Sequence, residues 1–259
     1  MKTGDFAVGA PWRALDSFSH RWLEGADSLD AVLATLESLR AAEPGMGFLC
    51  TLDDVAQCRY TSGHARQDDR LYLAYDDAPD EATEDRLQLE HTMRQLQHPE
   101  WAQDWAAVCG SLLVLEEDVL ALLAANRAPQ RLLDEVVYIQ RLPVPRDDLL
   151  LAGMPNGYFS ADWDVFQNHA VLHHLTMQHG YRFFGIGASW LGLVRATPPD
   201  AEQARALVQD LRQLYGQGRD AVLQHPGWDA LVAVLQARRT LLLGYTEGMA
   251  ESLGCSAAA

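Results

Sequence analysis

Apolar positions in this chain recur at helical spacing in some stretches and alternate in others, and each pattern marks an element. Trp12, Leu15, Phe18 and Trp22 fall at helical spacing, so the first 45 residues read as helical. Ser28 is placed to cap a second run, in which Leu29, Val32, Leu33, Leu36 and Leu39 share one stripe. Glu43-Pro44-Gly45 ends it. Two strands are expected at 46–52 (MGFLCTL) and 70–77 (RLYLAYDD). Helices are expected at about 81–97 and 100–109 and within 111–126.

The second half has a clearer pattern. Residues 136–144 (VVYIQRLPV) are β-rich, with Pro143 placing their end at an edge or outside a sheet. A short strand and a turn at Pro155-Asn156-Gly157 follow. Ser160 can cap a helix that carries Asp162 and Asp164 in its first turn, and Gly180 is placed to end it. Two strands, YRFFGIG and SWLGLVRA, precede a helix with one stripe of Ala201, Ala204, Leu207, Val208, Leu211, Leu214 and Tyr215. A long helix over about 228–252 closes the pattern.

The expected fold class is therefore α+β. A helix-rich N-terminal half with a small sheet (1–128) precedes a C-terminal half (129–259), a ββαββα layered unit plus the long C-terminal helix. The break falls near Asn126-Arg127, and one continuous domain is equally compatible with the pattern. The stretches LQHPEW (96–101) and LQHPGW (223–228) share five of six residues, which reads as a recurrent helix–turn–helix solution.

Charge changes the picture. The net charge is −16, from 36 acids against 20 basic residues, of which Lys2 is the sole lysine. Such a surface repels phosphates, so nucleic acid is disfavoured as a partner, and a basic protein partner is favoured. Arginine in place of lysine, with abundant alanine, points to a GC-rich bacterial coding sequence. No apolar run is long enough for a membrane span and no leader-like segment opens the chain, so a cytoplasmic protein is expected. The cysteines show neither metal-like nor disulfide-like spacing.

Residues 68–90 hold nine acids against Arg70 and Arg86. Asp76, Asp77, Asp80, Glu81, Glu84 and Asp85 are the candidate partner-binding residues. The blander account is a solvated loop running into a helix whose first turn carries acids to suit its dipole.

Residues 166–180 hold four of the nine histidines. His169 and His173 lie four apart on a helix and can share a metal such as zinc or iron. His174 lies about 100° further round. HAVLH lacks the glutamate of H-E-x-x-H, and no third ligand is nominated. The competing account is a helix apolar on two sides, packed between the sheet and either the N-terminal half or a second copy, so a homo-oligomer stays open. On that account no cofactor is needed. The turn before the helix gathers Asn156, Tyr158, Asp162, Trp163 and Asp164, a candidate site for a small polar ligand or a partner's loop. GIGASWLG fails the G-x-G-x-x-G spacing and precedes a strand, which argues against a nucleotide.

No catalytic motif stands out. The leading expectation is a binding protein of inhibitor, immunity or accessory type that engages a basic protein through its acidic surface. The alternative is a metal-dependent enzyme with His169 and His173 as ligands.

Overall fold

The computed structural model describes residues 1–75 and 78–254. Asp76 and Asp77 of the acidic set lie outside the described residues. In chain order the elements are β1 (Lys2–Gly4), β2 (Ser19–Glu24), α1 (Leu29–Ala42), β3 (Gly47–Thr51), α2 (Val55–Ala65), α3 (Glu81–Leu96), α4 (Trp105–Val108) and α5 (Glu116–Arg127). They continue with β4 (Val136–Leu142), a 3-10 turn over Asp147–Gly153, α6 (Val165–His179), β5 (Arg182–Ile186), β6 (Trp190–Val194), α7 (Ala201–Gly216), α8 (Asp220–Leu223), α9 (Gly227–Gln236) and β7 (Thr240–Gly244).

The fold is α+β, built on one mixed seven-stranded sheet of order β1-β2-β4-β3-β5-β6-β7. Neighbours run antiparallel except β3 and β5, which pair in parallel through Cys50↔Gly185 and Thr51↔Ile186. This junction joins strands from the two halves of the sequence. Every residue of β3, β6 and β7 is buried, as expected for strands covered on both faces. Gly192 is required in β6 because a Cβ there would press into the Phe184 ring. One helical group, α5, α7, α8 and α9, packs together and reaches β7 through α5. Another, α3, α4, α6 and the 3-10 turn, packs beside β5. Among the described residues, no helix is long and apolar enough to cross a membrane.

Several elements form as their patterns predict. In α1, Ser28 accepts a hydrogen bond from the Ala31 N–H, and Leu29, Val32, Leu33 and Leu36 are buried. α7 starts on a reciprocal cap between Asp200 and Gln203, and its apolar stripe faces inward from Ala204 on. Each fully buried leucine in that stripe contributes roughly 2 kcal/mol of apolar burial.

Other elements differ, for identifiable reasons. The helix expected over Trp12–Trp22 does not form. The Ser19 hydroxyl accepts hydrogen bonds from the Leu15 and Asp16 N–H groups, and Asp16 accepts one from the Phe18 N–H. These side-chain contacts offer the backbone a turn instead of a helix, after which β2 begins. The strand expected at 70–77 is a turn through Leu71 followed by irregular chain up to Tyr75. The Leu71 and Tyr72 N–H groups both donate to Asp68 O, and the buried Gln88 amide of α3 donates to Leu71 O. The strand expected just before Pro155 is the buried 3-10 turn at 147–153. The long helix over 228–252 is instead α9 followed by β7. The run TLLLG fits a helical stripe as well as a strand, and pairing with β6 over Trp190↔Gly244 to Val194↔Thr240 decides it.

The LQHPEW echo is a shared local solution. In each copy a helix ends at a leucine and an imidazole Nδ1 accepts the N–H two residues on, from Glu100 to His98 at 3.3 Å and from Gly227 to His225 at 3.0 Å. The tryptophan N–H then donates to the histidine carbonyl in both.

Candidate functional site

Helix α6 organises the histidines. Asp164, not Ser160, is its cap. The Asp164 carboxylate accepts from the Gln167 N–H at 2.8 Å, and the Gln167 side chain accepts from the Asp164 N–H at 2.9 Å. Gly180 ends the helix at φ +68°, a conformation that favours glycine. Between these caps Phe166, Ala170, Val171, Leu172 and Leu175 are buried. The helix packs against β5 and also against α3 and α4 from the N-terminal half, which meets the requirement of its two apolar sides.

The four histidines divide into two pairs, each on one aspartate. His169 Nε2 lies 3.2 Å and His173 Nδ1 3.4 Å from Asp148 Oδ2. Arg146 also grips Asp148, with Nε 3.0 Å from Oδ1 and Nη2 2.8 Å from Oδ2. Burial alone would push the Asp148 carboxyl up. The His169 and Arg146 contacts outweigh that and hold it well below the usual carboxylate range. The second pair is His174 and His179, whose Nε2 atoms lie 2.8 and 2.9 Å from Asp210 Oδ2 on α7.

Sequence spacing nominates His169 and His173 for a metal. Among the described residues, the group whose ligand atoms converge as a metal requires is His174, His179 and Asp210, all within 4.8 Å of one another. Asp210 lies far along the chain, so sequence spacing cannot find it. Trp105 stacks on His174 with ring centroids 3.7 Å apart. A cleft of about 670 Å³ runs beside these groups, lined by Trp105, Arg146, His169, His173, His174 and Met177.

The turn before α6 is largely committed inward. Asn156 is buried, accepting from the Thr61 hydroxyl at 2.6 Å and the Gly157 N–H at 3.1 Å, and donating to Gly187 O at 3.1 Å. Trp163 is buried and donates to the Ser111 hydroxyl at 3.1 Å. Asp162 accepts from the Glu247 N–H at 3.1 Å, and burial pushes its carboxyl up to about 6. Of the five nominated residues, Tyr158 stands out at the surface.

Tyr158 belongs to a row of rings. Tyr60 and His64, one turn apart on α2, lie 4.3 Å apart; His64 lies 4.8 Å from Tyr158; Tyr158 lies 5.2 Å from Phe159. Tyr60, Tyr158 and Phe159 are 54%, 46% and 46% exposed, and Tyr72 is 61% exposed. Arg70, at the start of the acidic segment, shares a pocket with His64 and Tyr158 of this row. Its guanidinium pairs with Asp68 at 2.8 Å and Asp164 at 3.0 Å and lies 4.3 Å from the centroid of the Phe166 ring. A pocket of about 350 Å³ lies between them, lined by His64, Asp68, Arg70, Tyr158 and Asp164. Glu84 and Asp85 line a neighbouring groove with Tyr72. Asp80 caps α3, accepting from the Thr83 N–H at 2.8 Å, and Glu81 is exposed in the first turn. Sequence reasoning missed this row; the i, i+4 spacing of Tyr60 and His64 is the one local signal that could have pointed to it.

No protein-family model, no curated protein and no solved structure matches this chain.

Proposed function

We propose that this protein is a binding protein of inhibitor or accessory type that docks a basic protein partner on the aromatic and acidic face around Tyr60, Tyr158 and α3. The observation that supports this reading most directly is the row Tyr60–His64–Tyr158–Phe159, of which His64 and Tyr158 share a pocket with Asp68 and Arg70 of the acidic segment. Tyrosines give large contact area at low entropy cost and often dominate interface energies. Asp68 and Asp164 share one guanidinium, while Asp69, Asp80 and Glu81 are exposed, so the rim stays negative. A rings-and-carboxylates face suits a partner that presents arginine or lysine, through cation–π contact and steered encounter. The overall charge of −16 acts in the same direction.

The test compares the wild-type protein with a Tyr60→Ala/Tyr158→Ala/Glu81→Lys variant. Polypeptides retained by each are identified, and their affinity is measured at two salt concentrations. The reading expects a basic polypeptide, bound less tightly as salt rises and on the order of tenfold or more weaker to the variant. A neutral or acidic partner would sink it. So would an affinity indifferent to the three substitutions, or sedimentation showing that a second copy of the chain covers this face.

A further inference from the structure

We propose that His174, His179 and Asp210 form a binding site for a first-row transition-metal dication, with zinc(II) as the reference ion. Three donor atoms from two helices meet at one point: His174 Nε2, His179 Nε2 and Asp210 Oδ2. Both imidazole nitrogens already lie within 2.9 Å of the carboxylate oxygen. Tetrahedral zinc with bonds near 2.0–2.1 Å separates its ligand atoms by about 3.3 Å, so the two imidazole–carboxylate separations need open by only about 0.5 Å. Two imidazoles and one carboxylate form a donor set suited to zinc and to iron(II).

The other histidine pair provides the contrast. Asp148 is gripped by the Arg146 guanidinium through both oxygens, and its negative charge is already matched. A dication between His169 and His173 would sit against that guanidinium. Among the described residues, the ion pairs made by Asp210 are to His174 and His179 alone. With neutral imidazoles, this cluster carries an unmatched negative charge, which a dication satisfies.

The site is also held in place. His179 is the last residue of α6, fixed by the Gly180 cap, and Asp210 lies within α7. The Trp105 indole lies over the His174 ring and restricts its rotation. Three protein donors leave at least one coordination position for water or an external ligand. The cluster is not sealed, since the Asp210 side chain is 33% exposed. Each Nε2 that donates to Asp210 carries a proton there. Metal binding displaces that proton, which moves through solvent to Nδ1 of a neutral ring or is released to solvent from a charged one, and the freed Nε2 lone pair takes the metal.

Trp105 makes the site measurable. A paramagnetic ion bound to His174 sits close to the indole and quenches its emission, whereas zinc does not. The experiment is equilibrium dialysis of chelator-stripped, full-length protein against micromolar zinc(II), with a parallel cobalt(II) titration followed by tryptophan fluorescence. Wild type and the His169→Ala/His173→Ala variant are expected to hold one zinc per chain. The His174→Ala/His179→Ala variant should bind at least a hundredfold more weakly, and Asp210→Asn at least tenfold more weakly. Trp105→Phe keeps the ligands, so it should hold zinc but lose most of the cobalt quenching. That variant and the wild type decide the matter even where a histidine variant does not fold. Absence of stoichiometric zinc from the wild type would overturn the proposal. Zinc persisting after loss of His174 and His179, or lost with His169 and His173, would also overturn it.

Discussion

The indole of Trp105 lies flat on the imidazole of His174, 9° from parallel. One ring comes from the short helix α4 and the other from α6, so the stack joins the two halves of the chain. Replacing Trp105 with alanine removes an aromatic pair worth about 0.5–1.5 kcal/mol beyond its apolar burial. The expected loss is about 2 kcal/mol of stability, read from urea unfolding. The ring-proton shifts of His174 should move as the indole ring current disappears. A variant in which those shifts stay fixed would refute the stack.

Asp148 should govern the acid side of the stability profile. Its carboxyl is held below its ordinary value of 3.8, with burial opposing and the His169 and Arg146 contacts prevailing. A depressed folded value means that its contribution is present above about pH 4 and is lost as pH falls through the folded value. Asp148→Asn should cost roughly 2–4 kcal/mol at pH 7, since it strips a buried charge from a paired guanidinium. The variant should also show a flatter loss of stability below pH 4. Equal acid limbs for the two proteins would count against this assignment.

Asp53 should act with the opposite sign. Its Oδ2 accepts from the Ser189 N–H at 2.9 Å, while Oδ1 is buried without a partner, and burial pushes the carboxyl up to about 7. The unfolded chain releases this proton near pH 3.8, and the folded chain keeps it to about pH 7. Stability from this group therefore falls as pH rises across that window, by on the order of 2–4 kcal/mol. Asp53→Asn keeps an acceptor for Ser189 and should remove the fall. Denaturant midpoints from pH 4 to pH 8 check it, and an unchanged slope in the variant would refute the assignment.

Gly157 should tolerate no side chain. It sits at φ +94°, and a Cβ there would overlap Trp163 O. Gly157→Ala combines backbone strain with a clash against the α6 entry, so a loss of roughly 2–4 kcal/mol is expected. Thermal unfolding of the variant measures it, and a change under 1 kcal/mol would contradict the geometry.

The exposed rings should behave in the reverse way. Tyr60→Ala and Tyr158→Ala remove half-exposed side chains, so stability should change by only about 0.5 kcal/mol. Partner affinity, in contrast, should fall by tenfold or more if these rings anchor the interface. Destabilisation of several kcal/mol would mark them as packing residues instead.

How far the sequence was readable depended on range. Elements with a local signature came through: the Ser28 cap of α1, the apolar stripe of α7, the Gly180 end of α6 and the β5–β6 pair. TLLLG was ambiguous because three consecutive leucines satisfy both periods, and only pairing with β6 selects a strand. The Trp12–Trp22 spacing misled because Ser19 and Asp16 offered the backbone competing hydrogen bonds. At the histidines, spacing brought His169 and His173 together correctly in space but carried no sign of Arg146 at their shared carboxylate. Asp210 and Trp105 lie too far along the chain for any spacing rule to associate them with His174.

The interleaved strand order constrains how this chain is made on the ribosome. Strand β4 lies between β2 and β3, and β3 waits for β5 before its other edge is covered. A nascent chain that has emerged only as far as α5 therefore carries β2 and β3 with neither of these mates, each with open backbone donors and acceptors. Premature termination in this region would release a product whose strand edges template pairing between molecules. Until β4 and β5 are made, the facing edges of β2 and β3 stay open, and closing them is a task that falls to the second half of the chain.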